Sequence, residues 1–360
     1  MKAVLLLADG TRFYGKVKGN KENLTGEVVF CTSMVGYQEL LTTPAYSGQI
    51  VVLTFPLIGN YGVNKEDVSS DKTYVKGIIA REICDFPNNF RCEGTLEEYL
   101  EENNITALYD IDTRALTRIL RDKGTMNGKI IVGDAAIDEA KELEEIKSYK
   151  VTGEVSKASV KEIKKITENN DAPHVAVYDF GVTDSIIESL KRRNLNITLV
   201  PYNTLAKDVM ALDVDGVLLS DGPGNPCDLK DTVSEIKKIV DEKIPVFGIE
   251  LGHQLLNLSM GGEIEKLKYG HRGSSQPVKD LETGRTHITS QNHGYVVSNV
   301  NEEEAIISHI NINDDTVEGV IYKNYPAFSV QFHPETSEVN KDTSYLYDNF
   351  LKMMGGNENA

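Results

Sequence analysis

The chain has 360 residues, and at about 150 residues per domain this length predicts two domains. With 40% hydrophobic and 26% charged residues the composition is that of a soluble globular protein and excludes disordered and collagen-like chains. A net charge of −17 with no basic patch argues against nucleic-acid and anionic-membrane partners.

The early apolar run Ala3 to Ala8 is shorter than the ~7–15 residues of a signal-peptide core, and no stretch of ~18 apolar residues occurs, so a cytoplasmic location is expected. Cys31, Cys84, Cys92 and Cys227 have neither paired CxxC spacing nor the density of a disulfide scaffold, which predicts reduced thiols.

In chain order, Ala3 to Leu7 and Thr11 to Val17 flank Asp9-Gly10 and predict a β-hairpin with a two-residue turn. Further strands are expected at Gly26 to Phe30 and Gln49 to Phe55. Thr95-Leu96-Glu97-Glu98 reads as a capping box, and Asp112 as the cap of a helix ending at Gly124. Residues 1–150 therefore form an expected α+β domain. From about Ala136 to Asp171 the chain is lysine- and glutamate-rich, which suits exposed helices or a connector, and 151–172 is expected to be a charged connector.

From residue 173 to 360 short apolar strands alternate with helical periodicity. Val175 to Tyr178, Ile197 to Val200, Gly216 to Leu219 and Val246 to Ile249 are predicted strands; Ile186, Ile187 and Leu190, then Val233, Ile236, Ile239 and Val240, mark helix faces. This pattern predicts a doubly wound parallel sheet with ligands at the carboxyl ends of its strands.

Three segments carry chemistry. Gly248-Ile249-Glu250-Leu251-Gly252 ends an apolar strand as a nucleophile elbow does, holding the central side chain above the sheet with a helix N-terminal N–H beside it. Ser220-Asp221-Gly222-Pro223-Gly224 supplies a glycine loop after another strand. His333-Pro334-Glu335 spaces a general base and its orienting carboxylate.

Together with Cys31 to Ile50, Thr54 to Val63, Asp110 to Arg118, Tyr178 to Val182, Gly270 to Gly273 and Ser290 to Gly294, these segments resemble the small, glutamine amidotransferase subunit of carbamoyl-phosphate synthetase, a triad-type class I amidotransferase. The resemblance covers nearly the whole chain. It implies an amino-terminal small-subunit domain and a class I amidotransferase domain. It also implies hydrolysis of glutamine through a cysteine thioester, with ammonia delivered to a large subunit for carbamoyl phosphate synthesis in the arginine or pyrimidine pathways. No cofactor is implied for this chain; ATP and Mg belong to the large subunit.

Carried over by position, His333 and Glu335 match the base and its partner, and Gly222, Gly224, Leu251, Gln254, Asn292, Gly294 and Tyr295 match glutamine contacts. Glu250 stands where the resemblance puts the nucleophilic Cys, Ala45 where it puts a glutamine-binding Ser, and Asp221 where it puts Asn. His271 and His293 fall in family motifs, where hydrogen bonding that shapes the pocket accounts for them; no metal ligand is assigned. Two readings follow: a working amidotransferase subunit in which Glu250 is tolerated, or a pseudo-glutaminase that supports an ammonia-using large subunit.

Overall fold

A computed structural model describes residues 1–133, 138–169, 171–335 and 342–355. The chain forms two compact units, Met1–Thr152 and Gly153–Ala360.

In the first unit, β1 (Lys2–Leu7), β2 (Arg12–Gly19), β3 (Leu24–Cys31), β4 (Gln49–Leu53), β5 (Gly77–Ile79), β6 (Thr106–Tyr109) and β7 (Met126–Val132) close a barrel in the order β1-β2-β6-β5-β4-β3-β7. Apolar runs serve both faces of a strand because side chains alternate. In β4, Ile50 and Val52 pack with Leu5, Leu108 and Ile130, while Val51 and Leu53 pack with Val29, Leu96 and Ala107.

The hairpin forms as expected, but its connection is longer than a two-residue turn. Leu7 N–H donates to Thr11 O, and Gly10 takes a φ of 86° inside that loop. Both predicted caps are present. Helix α1 (Leu96–Glu102) opens with the Thr95–Glu98 capping box, and α2 (Thr113–Lys123) with Asp112 accepting from Ala115 N–H.

The charged stretch holds a mostly exposed helix, one of its two expected forms, and within 151–172 a strand where a connector was expected. Helix α3 (Glu139–Ser148) belongs to the first unit and buries Ile146, whereas β8 (Lys164–Thr167) is an edge strand of the second unit's sheet. Asn170, within the expected connector, lies outside the described residues.

The second unit is built on one ten-stranded sheet. Strands β9 (His174–Asp179), β10 (Asn196–Pro201), β11 (Gly216–Leu219) and β12 (Val246–Ile249) alternate with α4 (Asp184–Lys191), α5 (Lys230–Asp241) and α6 (Leu251–Ser259). After α6 come β13 (Glu263–Asp280), β14 (Thr286–Asn299), β15 (Ala305–Asn311), β16 (Val317–Tyr322), β17 (Ala327–Val330) and helix α7 (Tyr345–Met353). The order is β8-β10-β9-β11-β12-β17-β16-β14-β13-β15.

Its centre, β10-β9-β11-β12-β17, is parallel, as the βα alternation predicts. Apolar clusters cover both faces: Ala176 and Tyr178 of β9 face one, Val175 and Val177 the other. The antiparallel half from β13 to β16 was not anticipated as strands.

Candidate functional site

Three adjacent parallel strands, β11, β12 and β17, end at one place and deliver Asp221, Glu250 and His333, where ligands of such sheets bind. The elbow itself is forced by its glycines. A Cβ on Gly252 would lie 2.1 Å from the Leu219 carbonyl oxygen, and one on Gly248 would lie 2.8 Å from the Gly252 carbonyl oxygen. Only glycine allows α6 to start so close to the sheet.

Between them Glu250 has φ 46° and ψ −104°, a conformation that costs a non-glycine residue ~1–3 kcal/mol. Two backbone hydrogen bonds hold it there: Glu250 N–H donates to Val330 O at 2.9 Å and Gly252 N–H to Ser220 O at 3.0 Å. The elbow is thereby tied to both flanking strands.

The Glu250 side chain is 1% exposed. Its Oε1 accepts the Asn292 N–H at 2.6 Å and lies 3.4 Å from His333 Nε2, while Oε2 has no hydrogen-bond partner. His333 is fixed by its backbone N–H donating to Ser290 O and by Nδ1 lying 2.7 Å from Glu335 Oε1. The Tyr347 hydroxyl of α7 donates to Glu335 Oε2 at 3.0 Å.

Burial alone would push the His333 imidazolium down, but Glu250 and then Glu335 outweigh it and hold its pKa well above the ordinary value. Asp221 is fully buried, and the Thr183 N–H is the one hydrogen-bond donor that approaches its carboxylate among the described residues. Burial holds its carboxyl well above the usual range; His333 opposes this, and Glu250 and Glu335 reinforce it.

The remaining positions differ in what they offer. A Cβ on Gly222 would lie 2.6 Å from Phe180 O, and Gly224 has φ 93°, so both glycines answer a backbone demand. Leu251 is the first residue of α6, where an N–H has no intrahelical partner. Asn292 approaches Glu250 through its backbone, and its side-chain amide is buried without a hydrogen-bond partner.

Gln254 is turned into the protein, its Nε2 donating to Tyr295 O at 2.8 Å and to Gln331 Oε1 at 3.1 Å. Gly294 and Tyr295 follow Asn292 on β14. Ala45 lies buried in a 3-10 turn, Pro44–Tyr46, of the first unit. Tyr347 was missed from sequence, since a tyrosine on an amphipathic helix gives no sign of a carboxylate partner.

Relatives with this whole-chain pattern exist. The family model of the carbamoyl-phosphate synthase small chain, CPSase domain, matches residues 5–130, and that of the class I glutamine amidotransferases matches residues 176–353. The carbamoyl phosphate synthase small chain of Clostridium perfringens is 49% identical over 352 residues, covering 98% of this chain and 99% of that protein.

This chain belongs to the carbamoyl-phosphate synthase small chain family. The pyrimidine-specific small chain of Bacillus subtilis is 45% identical over 355 residues, covering 98% of this chain and 96% of its own. The small chain of Fusobacterium nucleatum is 46% identical over 356 residues, covering 98% of each. Within this family the second unit is the amidotransferase domain, and the elbow, glycine loop and His333-Glu335 pair all lie in it.

Proposed function

We propose that this chain is a carbamoyl-phosphate synthase small subunit that partners a large subunit but does not itself release ammonia from glutamine. The observation that carries this reading is the elbow residue. A thiolate attacks an amide and forms a thioester that water opens, whereas a carboxylate is a poor nucleophile whose attack leads to a mixed anhydride.

The position of the carboxylate supports the same reading. Glu250 Oε1 accepts the Asn292 N–H, at a residue where the family resemblance places a glutamine contact. The side chain therefore competes with substrate for this donor, and its charge opposes an oxyanion forming beside it. His333 already holds its proton between two carboxylates, which suits a fixed ion pair better than a base waiting to accept one.

The test is synthesis by the complex of this chain with its large subunit. Carbamoyl phosphate is expected from ammonium, bicarbonate and ATP, with little or none when glutamine replaces ammonium. Glutamine-dependent turnover near one per second, roughly the lower end of ordinary enzyme rates, would refute the proposal.

A further inference from the structure

A second polar group lies in the antiparallel half of the sheet, independent of the glutaminase question. His271 on β13 and His293 on β14 are direct register partners, and Gln291 shares the His293 face because the two are two residues apart. Glu318 of β16 completes the group, and all four side chains are buried.

Neighbouring groups fix most of the donors and acceptors, and Asn311 Nδ2 already donates to Glu318 Oε1 at 3.2 Å. The Thr289 hydroxyl donates to Gln276 O, so its oxygen must accept, and Gln291 Nε2 donates to it at 3.1 Å and to Glu318 Oε2 at 2.9 Å. This fixes the amide orientation and aims Gln291 Oε1 at His271 Nδ1 and His293 Nε2, each 3.0 Å away. On the outer side, His271 Nε2 lies 2.8 Å from Asp314 Oδ2 and His293 Nδ1 lies 2.9 Å from Tyr295 O.

Both outer partners are acceptors, so each ring in its neutral form places its hydrogen outward and its lone pair inward. The inward nitrogens then meet the Gln291 carbonyl oxygen and, 3.4 Å from His271 Nδ1, Glu318 Oε1. Asp314 and Glu318 hold His271 up to about 9 against burial, which favours a hydrogen on its inward Nδ1, whereas His293 Nε2 and Gln291 Oε1 are two acceptors 3.0 Å apart. The two rings lie edge to face with centroids 5.0 Å apart.

We propose that His271 Nδ1, His293 Nε2, Gln291 Oε1 and Glu318 Oε1 form a buried four-coordinate site for one divalent transition-metal ion, zinc by its donor chemistry. The nitrogen and carboxylate atoms of the two histidines and Glu318 lie within 4.8 Å of one another. Tetrahedral zinc with bonds of about 2.0–2.2 Å needs ligand atoms roughly 3.3–3.5 Å apart, so side-chain shifts of about 1 Å are needed to close the shell. Imidazole nitrogens favour zinc over magnesium or calcium, which take more oxygens.

The outer partners, Asp314 on one ring and a backbone carbonyl on the other, are those that orient metal-bound histidines. The ion would have a structural role. It clamps β14 on both sides of Asn292, the residue whose N–H reaches Glu250.

The test uses the full chain without a polyhistidine tag, stripped with a chelator and titrated with Zn2+ by calorimetry and with Co2+ by visible absorption. One equivalent of Zn2+ is expected to bind and raise Tm, with a tetrahedral Co2+ band that Zn2+ displaces. Glu318→Gln should abolish the band. Asp314→Asn, at a half-exposed side chain where folding is not at risk, should weaken Zn2+ binding ~10–100-fold. Absence of saturable one-equivalent binding would overturn the proposal, as would binding that Asp314→Asn leaves at wild-type strength.

Discussion

His253 and His333 lie in the same unit and are both buried, yet they sit at opposite ends of the ionisation scale. His253, on α6 a few residues past the elbow, has Nδ1 2.8 Å from Ser329 Oγ and no partner at Nε2. Burial, with His309 adding, pushes it down to about 3. His333 is held by Glu250 and Glu335, which reverse the effect of burial. Partners rather than depth decide the charge of a buried imidazole, so substitutions that exchange those partners should move the two sites in different directions.

The largest effect is expected at the elbow. Glu250→Cys replaces a carboxylate that holds the His333 proton with a thiol that can give one up. Glutaminase activity of the complex should rise at least ~10³-fold, since a triad without its nucleophile keeps only binding and oxyanion contributions. A γ-glutamyl thioester should appear by mass spectrometry. If Glu250→Cys forms no such adduct, more than the nucleophile has been lost from the pocket around His333.

The next effect separates His253 from His333 by acid. A histidine whose folded pKa is depressed contributes stability that is present above its unfolded pKa of about 6.5 and is lost as pH falls toward the folded value, ~1.4 kcal/mol per unit. His253→Gln keeps a polar partner for Ser329 but does not titrate. The drop in urea midpoint between pH 7 and pH 4 should therefore be smaller in the variant. Equal drops would mean that His253 is solvated.

Asp221 offers a smaller change of opposite sign. Its raised folded pKa contributes stability below its unfolded pKa that disappears as pH rises, so at neutral pH the buried carboxyl is a liability. Asp221→Asn should stabilise the protein at pH 7 by about 1–3 kcal/mol, read as a Tm increase of ~2–4 °C per kcal/mol, and should do little in acid. A lower Tm at pH 7 would show that the negative charge of Asp221 serves the His333 ion pair.

These sites were legible in the sequence to different degrees, for physical reasons. Gly248 and Gly252 stood out because only glycine fits against Leu219 and the helix start, and His333-Pro-Glu335 because two residues are enough to bring a carboxylate to Nδ1. The parallel strands were readable because both faces are apolar. The strands β13 to β16 were not, because their buried faces carry His271, Gln291, His293 and Glu318, which satisfy one another and erase the apolar alternation. Nothing local marks Asp221 as a buried neighbour of His333 or Tyr347 as a donor, since both depend on segments meeting from far apart in the chain.

The smallest expected change is a single ionisation, and it reads the comparison most directly. Glu250→Gln keeps the size of the side chain and an oxygen to accept the Asn292 N–H, but removes one of the two charges facing His333. The imidazolium should then titrate at a lower pH than in wild type, held by Glu335 alone against burial. A raised folded pKa contributes stability that is full below the unfolded pKa and is lost as pH rises through the folded one, so Glu250→Gln should narrow that stabilised range from its alkaline side. An NMR titration of His333 checks this. A pKa equal to or higher than wild type in the variant would mean that Glu250 does not pair with His333, and would remove the carboxylate lock on which the loss of glutaminase activity is argued.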